Sequence, residues 1–539
     1  MTGTFSTSHP KEAGEPVGLS SPACFGGALK LPQWYLRDTM KTKKTTQSPA
    51  SIYRNQNALL RTLFERAADP RKVLCVALDY AKRKHVALCC DGNGEILRAP
   101  FAVDNTVEGV AFLIEQISAT ARRRKIPQCD IFLGGEDEAS YVANFTAALR
   151  ARQYLVLRVN AAEAKENREN QIASTDLLDL LGIAKTLLSR RARSTGPLGL
   201  KDKKATQDIY FEIREITRCR RTLVRQQTAA SNRIHAYVDQ LFPGFLEHSK
   251  SGLTPFCEAS IALMRERFSV PEIARRRPRT LATFLARHGV RQPDEVAAKL
   301  IALASGALPP APHRLAALQR TLCATVDLRQ CLTRNASELR CQAAILLAST
   351  PYVMLTSISG IGFTLAAGTA GELGDPSRLS GVDSLCAFAG IVPRTFQSGG
   401  PDQPACQGHS PARCNHILKD WTVQSAQKIL LYGPPELKDR ITRWNANGQH
   451  GIFAGARRYL RLLRSLVLNR TPYLDPASRS STASSALCAD AALQAWLILI
   501  RKWRTIPGGI AIITNKDTPL GFWRCTAMES RDVVLPLKP

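Results

Sequence analysis

The chain has little aromatic content and few acids for its bases, and it lacks both long apolar runs and paired cysteine motifs. No stretch approaches the ~18 uninterrupted apolar residues of a membrane span, so no membrane partner is expected. The first residues carry no apolar signal core, so secretion is not expected. The fifteen cysteines contain no CxxC pair, which points to reduced thiols in a cytoplasm rather than a disulfide framework. Cys406, His409, Cys414 and His416 lie near one another in sequence but match no common zinc spacing. Aromatics make up 6% of residues against 44% hydrophobics, a composition better suited to helical cores than to sandwiches. Asp plus Glu total 45 against 73 Lys plus Arg, a net charge of +28. That excess says little about fold and favours a polyanionic partner. The bases also cluster, as in Arg122-Arg123-Arg124-Lys125, Arg190-Arg191, Arg275-Arg276-Arg277 and Arg457-Arg458.

The 539 residues suffice for about three domains. Residues 1–70 are rich in Ser, Thr, Gly, Pro and Lys and read as a disordered extension with one short helix near Asn57 to Ala67. Structure begins at the apolar run Val73 to Leu78. His85 to Cys90 reads as a second strand, Asp91-Gly92-Asn93-Gly94 as a hairpin turn, and Glu95 to Ala102 as a third strand. A helix over Thr106 to Arg124, a strand over Asp130 to Gly134, a helix over Ser140 to Arg152 and a strand over Tyr154 to Val159 follow. Hairpin strands first, then strand–helix–strand, is the order of an RNase H/RuvC-like α/β domain, placed at 71–200.

A helical middle occupies 205–350. Ile209, Ile213, Ile216, Leu223, Ala230, Ile234, Tyr237 and Leu241 alternate in steps of three and four, with Arg220 and Gln227 as polar interruptions. The spacing predicts a long coiled-coil-like helix that packs within the chain or dimerises it. Pro278 and Pro309-Pro310-Ala311-Pro312 mark breaks. A mainly helical domain at 351–475 opens with Ile358-Ser359-Gly360-Ile361-Gly362, which resembles a helix-hairpin-helix turn. Gly360 and Gly362 allow close backbone approach, and the helix start after them suits a phosphate. The tail at 476–539 reads as a short helix at Ala491 to Ile500 and a strand-like Gly509 to Thr514, with no assignable chemistry.

Four acids stand where a two-metal nuclease needs them. Asp79 closes the first apolar run, Glu136 follows the run Ile131-Phe132-Leu133, and Asp176 and Asp179 sit three apart in a helical stretch. That spacing puts both on one helix face. Clustered carboxylates repel unless a cation lies between them, and Mg²⁺ prefers oxygen ligands. Bland readings compete at each position: a strand-end turn for Asp79, a helix-dipole charge for Asp176, and a register shift toward Glu138 for Glu136.

These residues carry a resemblance to insertion-sequence transposases of the IS110 and related IS1111 type. The matching stretches are Val76-Ala77-Leu78-Asp79-Tyr80-Ala81-Lys82, Glu136 to Tyr141, Val159-Asn160 and Thr175-Asp176-Leu177-Leu178-Asp179. They continue with Arg220 to Arg225, Asn232-Arg233-Ile234-His235, Leu241-Phe242-Pro243, Ile358 to Gly362, Phe388-Ala389-Gly390-Ile391-Val392-Pro393 and Gln397-Ser398-Gly399. Together they run in the family's order from roughly residue 73 to 475.

The resemblance implies a DNA recombinase with a composite active site. Asp79, Glu136, Asp176 and Asp179 would hold Mg²⁺, and Ser398 would attack a DNA phosphate to leave a phosphoserine link. Lys82, Arg413, Asn415 and Lys419 would contact nucleic acid, as would Gly360 and Gly362. It further implies a dimer or tetramer acting on element ends and target DNA at the bacterial nucleoid, guided by a structured RNA. Glu138-Ala139, Ser174, Cys414 and Lys419 depart from the family pattern and raise the prospect of a divergent copy. The alternatives are a RuvC-like endonuclease hydrolysing branched DNA without a serine, and an inactive nucleic-acid-binding remnant.

Overall fold

The computed structural model describes residues 57–136, 142–168, 175–190, 192–194, 209–266, 268–379, 381–392, 395–396, 406–407, 414–446, 451–474, 495–515 and 517–519. The chain divides into two compact units, Met1–Thr195 and Gly196–Pro539. The first is mixed α/β and the second is almost entirely helical.

The first unit is built on a six-stranded sheet in the order β3-β2-β1-β4-β5-β6. Its strands are β1 (Leu74–Asp79), β2 (Lys84–Asp91), β3 (Ile96–Asp104), β4 (Ile131–Glu136), β5 (Leu155–Val159) and β6 (Arg193–Ser194). The β1–β2 and β2–β3 pairs are antiparallel, β1–β4 and β4–β5 are parallel, and β6 returns antiparallel. The Asp91 carboxylate accepts from the Asn93 and Glu95 amides at 2.9 Å each, and Gly94 takes φ +92°, which forms the expected hairpin turn. Four strands extend beyond their sequence limits: β1 includes Asp79, β2 runs from Lys84 to Asp91, β3 runs to Asp104, and β4 includes Glu136.

Strand alternation sorts the apolar residues into two cores. Cys75 and Ala77 of β1 and Phe132 of β4 face α1 (Ala58–Ala67) and the later helix α5 (Asp176–Leu188). Leu74, Val76, Leu78 and Leu133 face α2 (Val107–Arg124) and α3 (Ala143–Ala151). Between β5 and α5 lies the short α4 (Ala161–Glu166). Side-chain caps begin four helices: Asn57 for α1, Thr106 for α2, Asn160 for α4 and Thr175 for α5.

In the second unit, α6 (Ile209–Leu241) lies antiparallel to α7 (Pro312–Ala348), as paired contacts Gln240–Arg314, Ser231–Arg329 and Gln227–Thr333 show. The predicted heptad helix therefore has a partner within the chain. Gln227, a polar interruption of that heptad, donates to Thr333 Oγ1 at 2.9 Å and helps fix register. The pair spans two cores. One, around Ile234, Phe242 and Phe268, gathers short helices between His248 and Gly306. The other gathers Ile213 with α8 (Phe363–Leu373), α9 (Val382–Phe388), α10 (His416–Tyr432), α11 (Pro435–Ala446) and α12 (Gly451–Asn469).

The tail joins this second core. Residues 495–503 form helix α13, and Trp496, Leu499, Ile500 and Trp503 are buried in it. The strand expected over Gly509 to Thr514 is instead a helix, α14 (Gly509–Thr514). Its Ile-Ala-Ile-Ile run favours a strand locally, but Gly508 in the left-handed region redirects the chain and Ile513 buries into the helical core. No helix among the described residues is long and apolar enough to cross a membrane.

Candidate active site

Asp79 and Glu136 stand at the carboxyl ends of β1 and β4. These neighbouring parallel strands pair Leu78 opposite Gly135, so the two acids emerge at the same sheet edge. Alternation puts Asp79 on the face of Cys75 and Ala77, and Glu136 on the face of Phe132. That is the face covered by α5, whose first turn carries Asp176 and Asp179.

Two glycines allow this approach. A Cβ on Gly134 would meet Leu187 of α5 at 2.5 Å. One on Gly135 would lie 2.1 Å from the Leu78 carbonyl oxygen and 2.5 Å from the Tyr80 ring. The start of α5 is fixed by Thr175, whose hydroxyl accepts from the Leu178 amide at 3.4 Å. The positive end of the helix dipole then lies beside both aspartates.

The electrostatics are those of crowded carboxylates. Asp79 is half-buried, and its carboxyl is held above the usual aspartate range, first by burial and then by the nearby charges of Asp179 and Asp176. Arg168, just beyond α4, opposes that rise. Its guanidinium lies 2.6 Å from Asp179, with both side chains largely buried. Arg168 was not singled out from sequence. It lies in the charged stretch Lys165-Glu166-Asn167-Arg168-Glu169, and nothing in its spacing marks it. Its stem passes over Gly182 of α5, where a Cβ would come within 3.0 Å of Arg168 Cγ.

Among the described residues, no three potential metal ligands converge tightly enough to hold an ion as placed. The donor set nonetheless fits a hard divalent cation: oxygen ligands only, mutually repelling, and balanced at one point by a guanidinium. Asp79, Asp176, Asp179 and Glu136 are the residues that would hold one. Asp137 and Glu138, the register alternatives to Glu136, lie outside the described residues.

The other expected contact residues fall into three groups. Lys82 is exposed in the β1–β2 connection. Ser398 and Arg413 lie outside the described residues, as does His409. The remaining positions belong to the second unit. Gly360 takes φ +90°, and a Cβ there would sit 2.5 Å from the Lys428 carbonyl oxygen, so the turn needs glycine. Gly362 precedes α8 with no side-chain cap, and a Cβ there would meet nothing within 4 Å. Asn415 is occupied internally. Its side chain caps α10 by accepting from the Leu418 amide at 3.0 Å, and donates to Glu372 Oε2 at 2.9 Å.

Glu372, 1% exposed at its side chain, is also held by Arg218 through bonds of 2.6 and 2.9 Å. This Arg218–Glu372–Asn415 chain ties α6, α8 and α10 together. Lys419 rests over the Phe453 ring at 5.6 Å. Gly390 packs so closely on Cys414 that a Cβ would meet its Sγ at 2.5 Å. The stretch around Gly390 therefore lies against the start of α10, which carries Asn415 and Lys419.

Two family models match the chain. A family model for the DEDD domain of IS110 elements, described as a transposase, matches residues 76–243. A second, described as the transposase IS116/IS110/IS902 family, matches residues 352–431. No curated protein matches the chain. The first match contains all four acids, and the second contains the Gly360 turn, Ser398, Arg413, Asn415 and Lys419. With both modules present in that order, the chain belongs to the IS110-type transposases of mobile elements, whose substrate is DNA.

Proposed function

We propose that this transposase cuts and rejoins DNA by Mg²⁺-dependent phosphoryl transfer through a covalent link to Ser398. The observation that carries the reading is that Asp79 feels the charges of Asp176, Asp179 and the Asp179-paired Arg168 at the sheet end that also carries Glu136. The strand order of the first unit, with an opening hairpin followed by two parallel strands, supports an RNase H/RuvC-like fold. A divalent ion held by these acids would neutralise charge building on the phosphate.

The protein's own groups do the rest. Asp79 and Glu136 are carried on neighbouring strands, and Asp176 and Asp179 on the first turn of a capped helix, which brings the donors to one end of the sheet. Ser398 Oγ forms a bond to phosphorus as its proton passes to a base. The phosphorus–oxygen bond to the departing deoxyribose breaks, and that oxygen takes a proton. The serine ester conserves the phosphoester for attack by a second strand's hydroxyl. Excess positive charge, +28 over the chain, supports binding of nucleic-acid backbones. Within this reading the sequence-specific partner is a structured RNA pairing with element and target DNA, and the working form is a dimer or tetramer in the cytoplasm.

The test is a denaturation-resistant adduct assay with Mg²⁺, element-end DNA and RNA transcribed from the element's flank. Wild type is expected to give a protein–DNA adduct. Ser398→Ala and Asp79→Asn are expected to give none. Cleavage without an adduct, equal in wild type and Ser398→Ala, would instead assign a hydrolytic endonuclease driven by the carboxylates. DNA binding with no reaction in any form would assign a binding remnant.

A further inference from the structure

The tail, to which neither family match extends, inserts a charge into the second unit's core. Lys502 on α13 donates from one Nζ to three backbone carbonyls: Thr356 at 2.5 Å, Ile358 at 3.0 Å and Ile361 at 2.7 Å. These carbonyls belong to the chain that leads into the Gly360 turn and the start of α8. Thr356, Ser357, Ile358 and Ile361 are all buried, so the carbonyls have little access to water.

The neighbouring bonds add to the same scaffold. The Tyr473 amide donates to Ser357 Oγ at 2.7 Å, and Ser357 donates to the Met354 carbonyl at 2.6 Å. The Trp503 ring stands edge-on to Phe363, the first residue of α8, with centroids 4.8 Å apart. Burial pulls Lys502 down to about 8, a cost this position sustains.

Three carbonyl oxygens at 2.5–3.0 Å around one positive centre are the surroundings that backbone offers a dehydrated monovalent cation. A helix placed merely by its tryptophans would need no ammonium there. An apolar residue at 502 would take this donor from the buried Thr356 and Ile361 carbonyls and leave the Ile358 carbonyl with the Ile361 amide at 3.1 Å.

We propose that Lys502 is a built-in cation for the turn at 356–362, holding the open amides at the start of α8 in position, and that without it the carbonyl cage becomes a potassium site. Lys502 is thus a positioning residue rather than a nucleic-acid contact. Its consequence for DNA rests on the proposed reading of Gly360 and Gly362 as a phosphate-contacting turn, while the cage itself does not.

The experiment uses full-length Lys502→Met beside wild type in potassium chloride and in choline chloride at equal ionic strength. Amide hydrogen exchange over 358–366, melting temperature and affinity for a DNA duplex are read together. Wild type should be indifferent to the choice of cation. In choline the variant should exchange these amides about tenfold faster or more, melt earlier and bind DNA more weakly, and potassium should restore all three.

Exchange equal to wild type in choline would overturn the proposal. So would a defect that potassium fails to repair, including a variant unfolded in both salts. Potassium-dependent exchange with unchanged DNA affinity would uphold the cage and instead remove the turn from the nucleic-acid interface. Lys502→Ala with added ethylammonium gives an independent reading: restored protection supports the cage, and no restoration counts against it.

Discussion

The guanidinium of Arg168 lies 2.6 Å from the Asp179 carboxylate, at the end of the sheet where Asp79 also feels Asp176 and Asp179. A positive side chain thus stands where a bound ion would compete with it. Arg168→Ala is expected to raise Mn²⁺ or Mg²⁺ affinity by roughly three- to thirtyfold, the scale of removing one partly buried competing charge. Calorimetric metal titration of the nucleic-acid-free protein measures this. Unchanged or weaker affinity would show that Arg168 does not compete for these acids.

Asp79 gives a pH dependence with a defined sign. Its folded pKa is raised, so the native state holds the proton more tightly than the unfolded chain does. Its ionised form costs stability above the raised pKa, and that cost disappears as pH falls through it. In metal-free protein Asp79→Asn should therefore raise the melting temperature at pH 7 and reduce its acid-side dependence. Divalent ions should stabilise wild type more than this variant. A lower melting point for Asp79→Asn without metal would contradict the crowding.

Gly135→Ala tests the close approach of β1 to β4. The added methyl would stand 2.1 Å from the Leu78 carbonyl oxygen, backbone that cannot swing aside. A loss of about 2–4 kcal/mol is expected by denaturant titration, at or above the usual range for overpacking. Gly306→Ala is the control: nothing lies within 4 Å of its Cβ position, and the residue ends a helix. It should be neutral or slightly stabilising.

Arg218→Ala would leave the Glu372 carboxylate buried with Asn415 as its remaining side-chain partner. Arg218 is 41% exposed, so the expected loss is about 2–3 kcal/mol, below that for a fully buried pair. The double variant Arg218→Ala with Glu372→Gln should recover part of it. A double variant as unstable as the sum of the singles would show that the pair is not energetically coupled.

Much of the first unit was legible because local and tertiary preferences agree there. The apolar run before Asp79 is a strand, the turn at Asp91 uses its own carboxylate, and Thr175 caps the helix bearing Asp176 and Asp179. The heptads of α6 predicted its length and its polar register residue, though not which segment would pack on it. Gly509–Thr514 was misread because β-branched residues suit a strand locally, and only burial against distant helices makes them helical. Arg168 and Lys502 left no signal. Each sits among other charges, in Lys165 to Glu169 and in Arg501 to Arg504, and a charge that turns inward looks in sequence like one that turns out.

The burial of Trp496 and Trp503 in a core that begins at Ile213 has a consequence for synthesis. A ribosome will have released the matched segments long before the helix that completes their core emerges. Chains broken off upstream of residue 495 should lack both the tryptophans and the Lys502 ammonium, and would be prey for proteases. A frameshift or premature stop upstream of residue 495 would then silence the element as surely as one in its acids. Abundance of such truncations would report the dependence directly.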